Sequence, residues 1–122
     1  MVATEISAEG YADIADVAIV TGWAYLEVQE ADGTPIVRRQ IVDGTNTEWV
    51  DIIPPVLRVE MDIIGSDIDL PALPVTVKKI ALFKTAVSTT AMVTQAFDSS
   101  FTLSSASDSL TVAMNVQVPI QS

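Results

Sequence analysis

The residues in this chain that could do chemistry are chiefly carboxylates. Asp62, Asp67 and Asp69 fall close together, Asp13 and Asp16 form a second pair, and Asp43, Asn46 and Glu48 share one loop. Two carboxylates suffice for glycoside hydrolysis, and oxygen ligands alone can hold calcium. Neither loop carries the Asp-x-[Asp/Asn]-x-[Asp/Asn]-Gly spacing of a calcium loop. Turn chemistry accounts for both, because Asp and Asn make local side-chain turns and Gly supplies positive φ. A glycosidase cleft also needs aromatic platforms, and only Trp23, Tyr25 and Trp49 stand near such a role. No metal and no cofactor is expected.

The chain contains no histidine and no cysteine. That removes the usual neutral-pH acid/base, the best transition-metal ligands and the best side-chain nucleophile. A Ser-His-Asp triad cannot be built. A Ser-Lys pair is formally available from Lys78, Lys79 or Lys84, but no nucleophile elbow or Ser-x-x-Lys surrounds them. The five glycines are scattered at 10, 22, 33, 44 and 65, so no phosphate loop exists. The expectation is a protein that is not an enzyme.

Charge narrows the partners. Six Lys and Arg stand against sixteen Asp and Glu, a net of −10. Such a field repels nucleic-acid phosphate and anionic membrane surfaces, so neither is an expected partner. The start, Met1-Val2-Ala3-Thr4-Glu5, has no basic or apolar region of a secretory signal. The uncharged stretch Thr85 to Phe97 is too short and too rich in Thr, Ser and Gln for a membrane span of about 20 residues. Yet 49% of residues are hydrophobic and mean hydropathy is +0.42. A small domain hides that much apolar surface poorly, which points to burial between chains. The candidate interface residues are Tyr11, Trp23, Tyr25, Arg38, Arg39 and Trp49. Arg38 and Arg39 point to opposite faces of a strand, where they either meet a carboxylate of a neighbour or discourage edge pairing.

The elements that must position these residues are strands. Ser109 to Val118 alternates Leu110, Val112, Met114, Val116 and Val118 with small or polar residues, and Pro119 ends it. Val56 to Ile63 alternates Leu57, Val59, Met61 and Ile63 with Arg58, Glu60 and Asp62. Gly22 to Gln29 sets Ala24, Leu26 and Val28 against Trp23, Tyr25 and Glu27. Asp32-Gly33 then turns a hairpin into Pro35 to Val42. Thr47 to Ile52, Val75 to Phe83, Ala91 to Phe97 and Ser100 to Leu103 complete the set. Residues 1–20 form an N-terminal arm or first strand. Within them Ser7 to Asp16 has helical spacing, and a strand over Ala15 to Val20 fits equally. Residues 21–122 form one domain. The expected class is all-β: an antiparallel β-sandwich, jelly-roll or Ig-like, of eight or nine short strands with turns every ~8–12 residues.

A resemblance adds to this reading. Ile80-Ala81-Leu82-Phe83-Lys84, Thr90-Ala91-Met92-Val93, Phe97, Phe101-Thr102-Leu103 and Asp108-Ser109-Leu110-Thr111-Val112 through Val118-Pro119 resemble the C-terminal halves of small virion structural proteins of tailed bacteriophages. Gly22 to Val28 and Gly33 to Arg39 share the pattern more weakly. The resemblance implies a structural subunit of the virion, assembled in the host cytoplasm. It implies a homo-oligomer, a trimer or higher ring, that contacts other virion proteins such as the major capsid protein. Capsid decoration is the favoured placement and tail, baseplate or fibre attachment the alternative. A carbohydrate- or receptor-binding module is the rival from another class, and it requires exposed Trp23, Tyr25 or Trp49.

Overall fold

The computed structural model describes residues 7–118. Helix α1 (Ala8–Asp13) continues as a π-helical segment (Ile14–Thr21). Seven strands follow: β1 (Tyr25–Gln29), β2 (Pro35–Gln40), β3 (Thr47–Asp51), β4 (Val56–Ile64), β5 (Val75–Phe83), β6 (Val93–Leu103) and β7 (Ser109–Gln117). They form a four-stranded sheet, β2-β1-β5-β6, and a three-stranded sheet, β3-β4-β7, with every pairing antiparallel. The fold is all-β with two antiparallel sheets, as the alternating patterns require.

The alternation works as expected in the three-stranded sheet. Leu57, Val59, Met61 and Ile63 of β4 and Val112, Met114 and Val116 of β7 are buried. Their register is unbroken, from Val56 opposite Gln117 to Ile64 opposite Ser109. The inward residues Leu26, Val28, Val77, Ile80 and Leu82 of the other sheet join them in one core.

The N-terminal strand is not realised. Residues 8–21 are helical, because the Ser7 side chain accepts from the Gly10 N–H at 3.1 Å and caps the first turn. Ala15 and Ile19, one turn apart, are buried against the sandwich, and Tyr11, a turn earlier, packs beside them. The first six residues of the expected arm lie outside the described residues.

Among the described residues the strand count is seven rather than eight or nine, for that reason and one other. The runs Ala91–Phe97 and Ser100–Leu103 belong to the single strand β6. Its register with β5 jumps from Val77 opposite Phe101 to Lys79 opposite Ala96. Residues 97–100 therefore bulge, and the Lys78 ammonium donates to the Phe97 carbonyl at that point. A bulge interrupts alternation, so one strand reads as two.

The two lateral sides of the sandwich differ. On one, β2 and β3 are joined by residues 41–46 and carry Pro35, Arg38, Arg39, Glu48 and Asp51. On the other, β6 and β7 are joined by residues 104–108. β6 has eleven residues and β7 nine, and Asp98 is the only charged residue in either.

Gly65 closes the end of β4 against the β6–β7 connection. Its N–H donates to the Asp108 carbonyl at 2.8 Å, and a Cβ there would sit 2.0 Å from the Ser105 carbonyl oxygen. Backbone must move to admit it. Gly65→Ala is expected to destabilise by about 3 kcal/mol, read as a lower urea midpoint with unchanged slope.

Candidate functional site

The two arginines of β2 organise the polar part of the molecule. Arg38 lies on the outer face of the four-stranded sheet, directly opposite Glu27 of β1. Its Nε donates to Glu27 Oε2 at 2.6 Å, and Glu27 Oε1 accepts from Gln29 Nε2 at 2.8 Å. The Glu27 side chain is 4% exposed and that of Arg38 16%. The guanidinium also stacks 3.6 Å from the centre of the Phe83 ring. Its second arm donates to the carbonyls of Thr85 and Ser88 at 3.0 and 2.9 Å, holding the β5–β6 connection over this face. A shallow open depression of about 420 Å³ lies beside it, with Ile36, Val37, Ser88, Thr89 and Asp69 among its walls.

Arg39, one residue on, faces the opposite side and reaches across to the β4–β5 connection. It donates to Asp69 through Nε (2.8 Å) and a terminal nitrogen (2.9 Å), to Asp67 Oδ2 (2.8 Å) and to the Asp62 carbonyl (2.8 Å). Of the cluster Asp62, Asp67 and Asp69, the carboxylates of Asp67 and Asp69 thus meet around a cation of the same chain, and Asp62 joins through its main chain alone. The Asp62 carboxylate itself turns away and accepts from Thr111 Oγ1 at 2.7 Å. The hydrogen bonds from Arg39 hold the Asp69 carboxyl below the usual carboxylate range, against the smaller opposing effect of burial. A carboxyl so held is a poor general acid at neutral pH.

That shift has a consequence for stability. The folded state binds protons at Asp69 less readily than the unfolded chain, whose ordinary value is 3.8. The contribution is therefore complete above that value and is lost as pH falls through the lower, folded-state value. In acid titrations, wild type and Asp69→Asn should differ in stability at neutral pH and converge once the pH lies below the lowered folded-state value of Asp69.

The Asp43–Glu48 loop is a turn. Glu48 Oε2 accepts from the Gly44 N–H at 2.7 Å, and Gly44 has φ +80°. Among the described residues no group of three carboxylates is placed to hold a metal ion.

The six candidate interface residues do not form one patch. Tyr11 and Trp23 are half-buried against the core near the helical segment. Tyr25 lies on the outer face, opposite Phe83 on one side and Gln40 on the other. Arg38 and Arg39 are engaged within the chain, as described. Trp49 of β3 is buried at 8% exposure, and its indole N–H has no partner among the described residues. A sugar platform needs an exposed ring face, which Trp49 does not offer.

Sequence reasoning missed Glu27, Phe83 and the main-chain carbonyls of Thr85 and Ser88. Glu27 could have been found. A two-residue turn centred on Asp32-Gly33 places residues 27 and 38 opposite each other, which joins a carboxylate to a guanidinium. The sequence also did not single out the β3–β4 turn, where Val50, Ile52, Ile53 and Val56 are exposed, Ile53 at 75%. Comparison of this chain with family models, curated proteins and solved structures finds no match.

Proposed function

We propose that this protein is a non-enzymatic virion structural subunit of a tailed bacteriophage, acting as a capsid decoration protein through apolar adhesion. The observation that carries the adhesive part is the β3–β4 turn, where four aliphatic side chains stand in solvent on a chain of net charge −10. Grouped exposed aliphatics mark an interaction surface more often than a free one. The virion placement rests on the resemblance of residues 80–119 to phage structural proteins. Of the two finer sandwich types, Ig-like fits the four-plus-three division better than the eight-stranded jelly roll. The strand order departs from the Ig order, in which the first, second, fifth and fourth strands share a sheet.

The test is co-sedimentation of purified protein with purified capsids and, separately, with tails. Capsid binding that falls at least about tenfold in Ile52→Asp/Ile53→Asp is the expected result, since each buried aliphatic side chain contributes about 1.5–3 kcal/mol. Binding to tails alone transfers the protein to the tail or baseplate. Binding to neither removes the virion reading.

A further inference from the structure

We infer that the β6–β7 side of the sandwich is where a second copy of this chain docks, with the free edge of β6 continuing its hydrogen-bond ladder into the neighbour. The inference rests on the reading of this chain as an assembly subunit and names the surface it would use on itself.

Unpaired strand edges attract other strands, and folded proteins usually blunt them with prolines, charges, bulges or short strands. The β2–β3 side follows that rule. It has Pro35, two arginines and two acidic residues, and Arg39 ties it to the β4–β5 connection. On the β6–β7 side only the bulge at residues 97–100 and Asp98 within it do so, which leaves the ladder edge free on either side of them. β6 ends its sheet, eight of its eleven residues are exposed, and it contains no proline, lysine or arginine. β7 ends the other sheet and carries no charge at all.

Charge selects the occupant. Two copies at −10 each repel wherever their acidic surfaces approach, so they can meet closely only where charge is sparse. The β6–β7 side, whose acidic groups are Asp98 in β6 and Asp108 in the connection, is the less charged of the two sides. Size agrees. Strands of nine to eleven residues run about 31–37 Å, and a sandwich side about 20 Å across gives on the order of 700 Å² per partner, close to a standard interface. Something apolar is also left to cover. Val93, Phe97 and Leu110 are only partly buried along this side, and Phe101 is exposed with its ring edge-on to Phe97 at 6.0 Å. A crevice of about 390 Å³ opens there between Ser100–Leu103 and Asp108–Leu110.

Sedimentation velocity on the full chain, from low micromolar to several hundred micromolar and without capsids, tests this. Wild type should dimerise. Thr94→Glu/Ala96→Glu, at exposed β6 positions, should raise the dissociation constant about tenfold or more by placing like charges across the junction. Gln40→Glu, exposed on β2, should leave it unchanged. A monomer at every concentration, or a dimer weakened equally by both variants or by neither, overturns the inference. Should the β6 variant fail to fold, hydrogen exchange on wild type decides. Concentration-dependent protection confined to β6 and β7 supports the pairing, and protection confined to other elements overturns it. Protection of β6 only when capsids are added overturns self-pairing and assigns this side to the capsid. Particle binding is not part of the primary readout, so failure of dimerisation leaves the virion reading standing.

Discussion

Glu27→Ala is expected to destabilise the fold by about 3–5 kcal/mol, among the largest effects of any single substitution in this chain. The physical reason is isolation of a charge. Removing the carboxylate leaves Arg38, with a side chain only 16% exposed, without a counter-charge, and leaves the Gln29 amide without its acceptor. Urea unfolding followed by circular dichroism gives the number. The double variant Glu27→Leu/Arg38→Met separates the charge effect from packing. It removes both charges and keeps apolar volume over Phe83, so it should lose less than the single change. A Glu27→Ala midpoint indistinguishable from wild type would show that Arg38 finds full compensation elsewhere. Arg38→Met alone should also loosen the β5–β6 connection, because the guanidinium holds the carbonyls of Thr85 and Ser88. Faster hydrogen exchange across residues 84–92 is the corresponding signal.

Leu57→Ala is the second. Leu57 is fully buried near the start of β4, the middle strand of the three-stranded sheet, opposite Val116 and inside the shared core. Truncation loses the transfer free energy of the side chain and leaves a cavity that the surrounding core only partly fills, for about 2–5 kcal/mol. A fall in melting temperature on the order of 10 °C is expected for a domain of this size. Ile53→Ala, at the exposed β3–β4 turn, should change stability by less than about 0.5 kcal/mol. The same Ile53 change should weaken particle binding if the adhesive reading holds, so stability and adhesion separate at these two residues.

Much of the fold was legible because its strands are regular. β4 and β7 alternate without interruption, one face lies on the core, and a period of two is what that burial demands. The Asp32-Gly33 hairpin was legible for a local reason: Gly33 has φ +91°, and Asp32 Oδ1 accepts from the Thr34 N–H at 2.9 Å. Where local and long-range demands diverge, the reading broke. β1 reads as half-buried, yet both its faces are covered, since residues 84–92 fold over Glu27 and Phe83. β6 reads as two strands because its bulge is set by pairing with β5, a partner distant in sequence. By spacing, Ser7 to Asp16 suits a helix and Ala15 to Val20 a strand. Burial of Ala15 and Ile19 against the sandwich decides for the helix.

The candidate site divides the same way. Carboxylate proximity in sequence correctly brought Asp67 and Asp69 together, because both lie in one connection. Which group they serve was not legible, since Arg39 arrives from β2, 30 residues before Asp69 in the chain.

The sequence by itself determined that this chain is all-β and acidic, that it lacks histidine and cysteine chemistry, and that its strands carry one apolar face. These follow from residue type and short-range periodicity, which act within a few residues. Only the tertiary structure decided that Arg38 and Arg39 are held within the chain, that Trp49 is buried, and that one side of the sandwich is charged and braced while the other is left bare. Those outcomes depend on which strands become neighbours and which become edges. Strand order is fixed by contacts between segments far apart in the chain, and no local pattern encodes it.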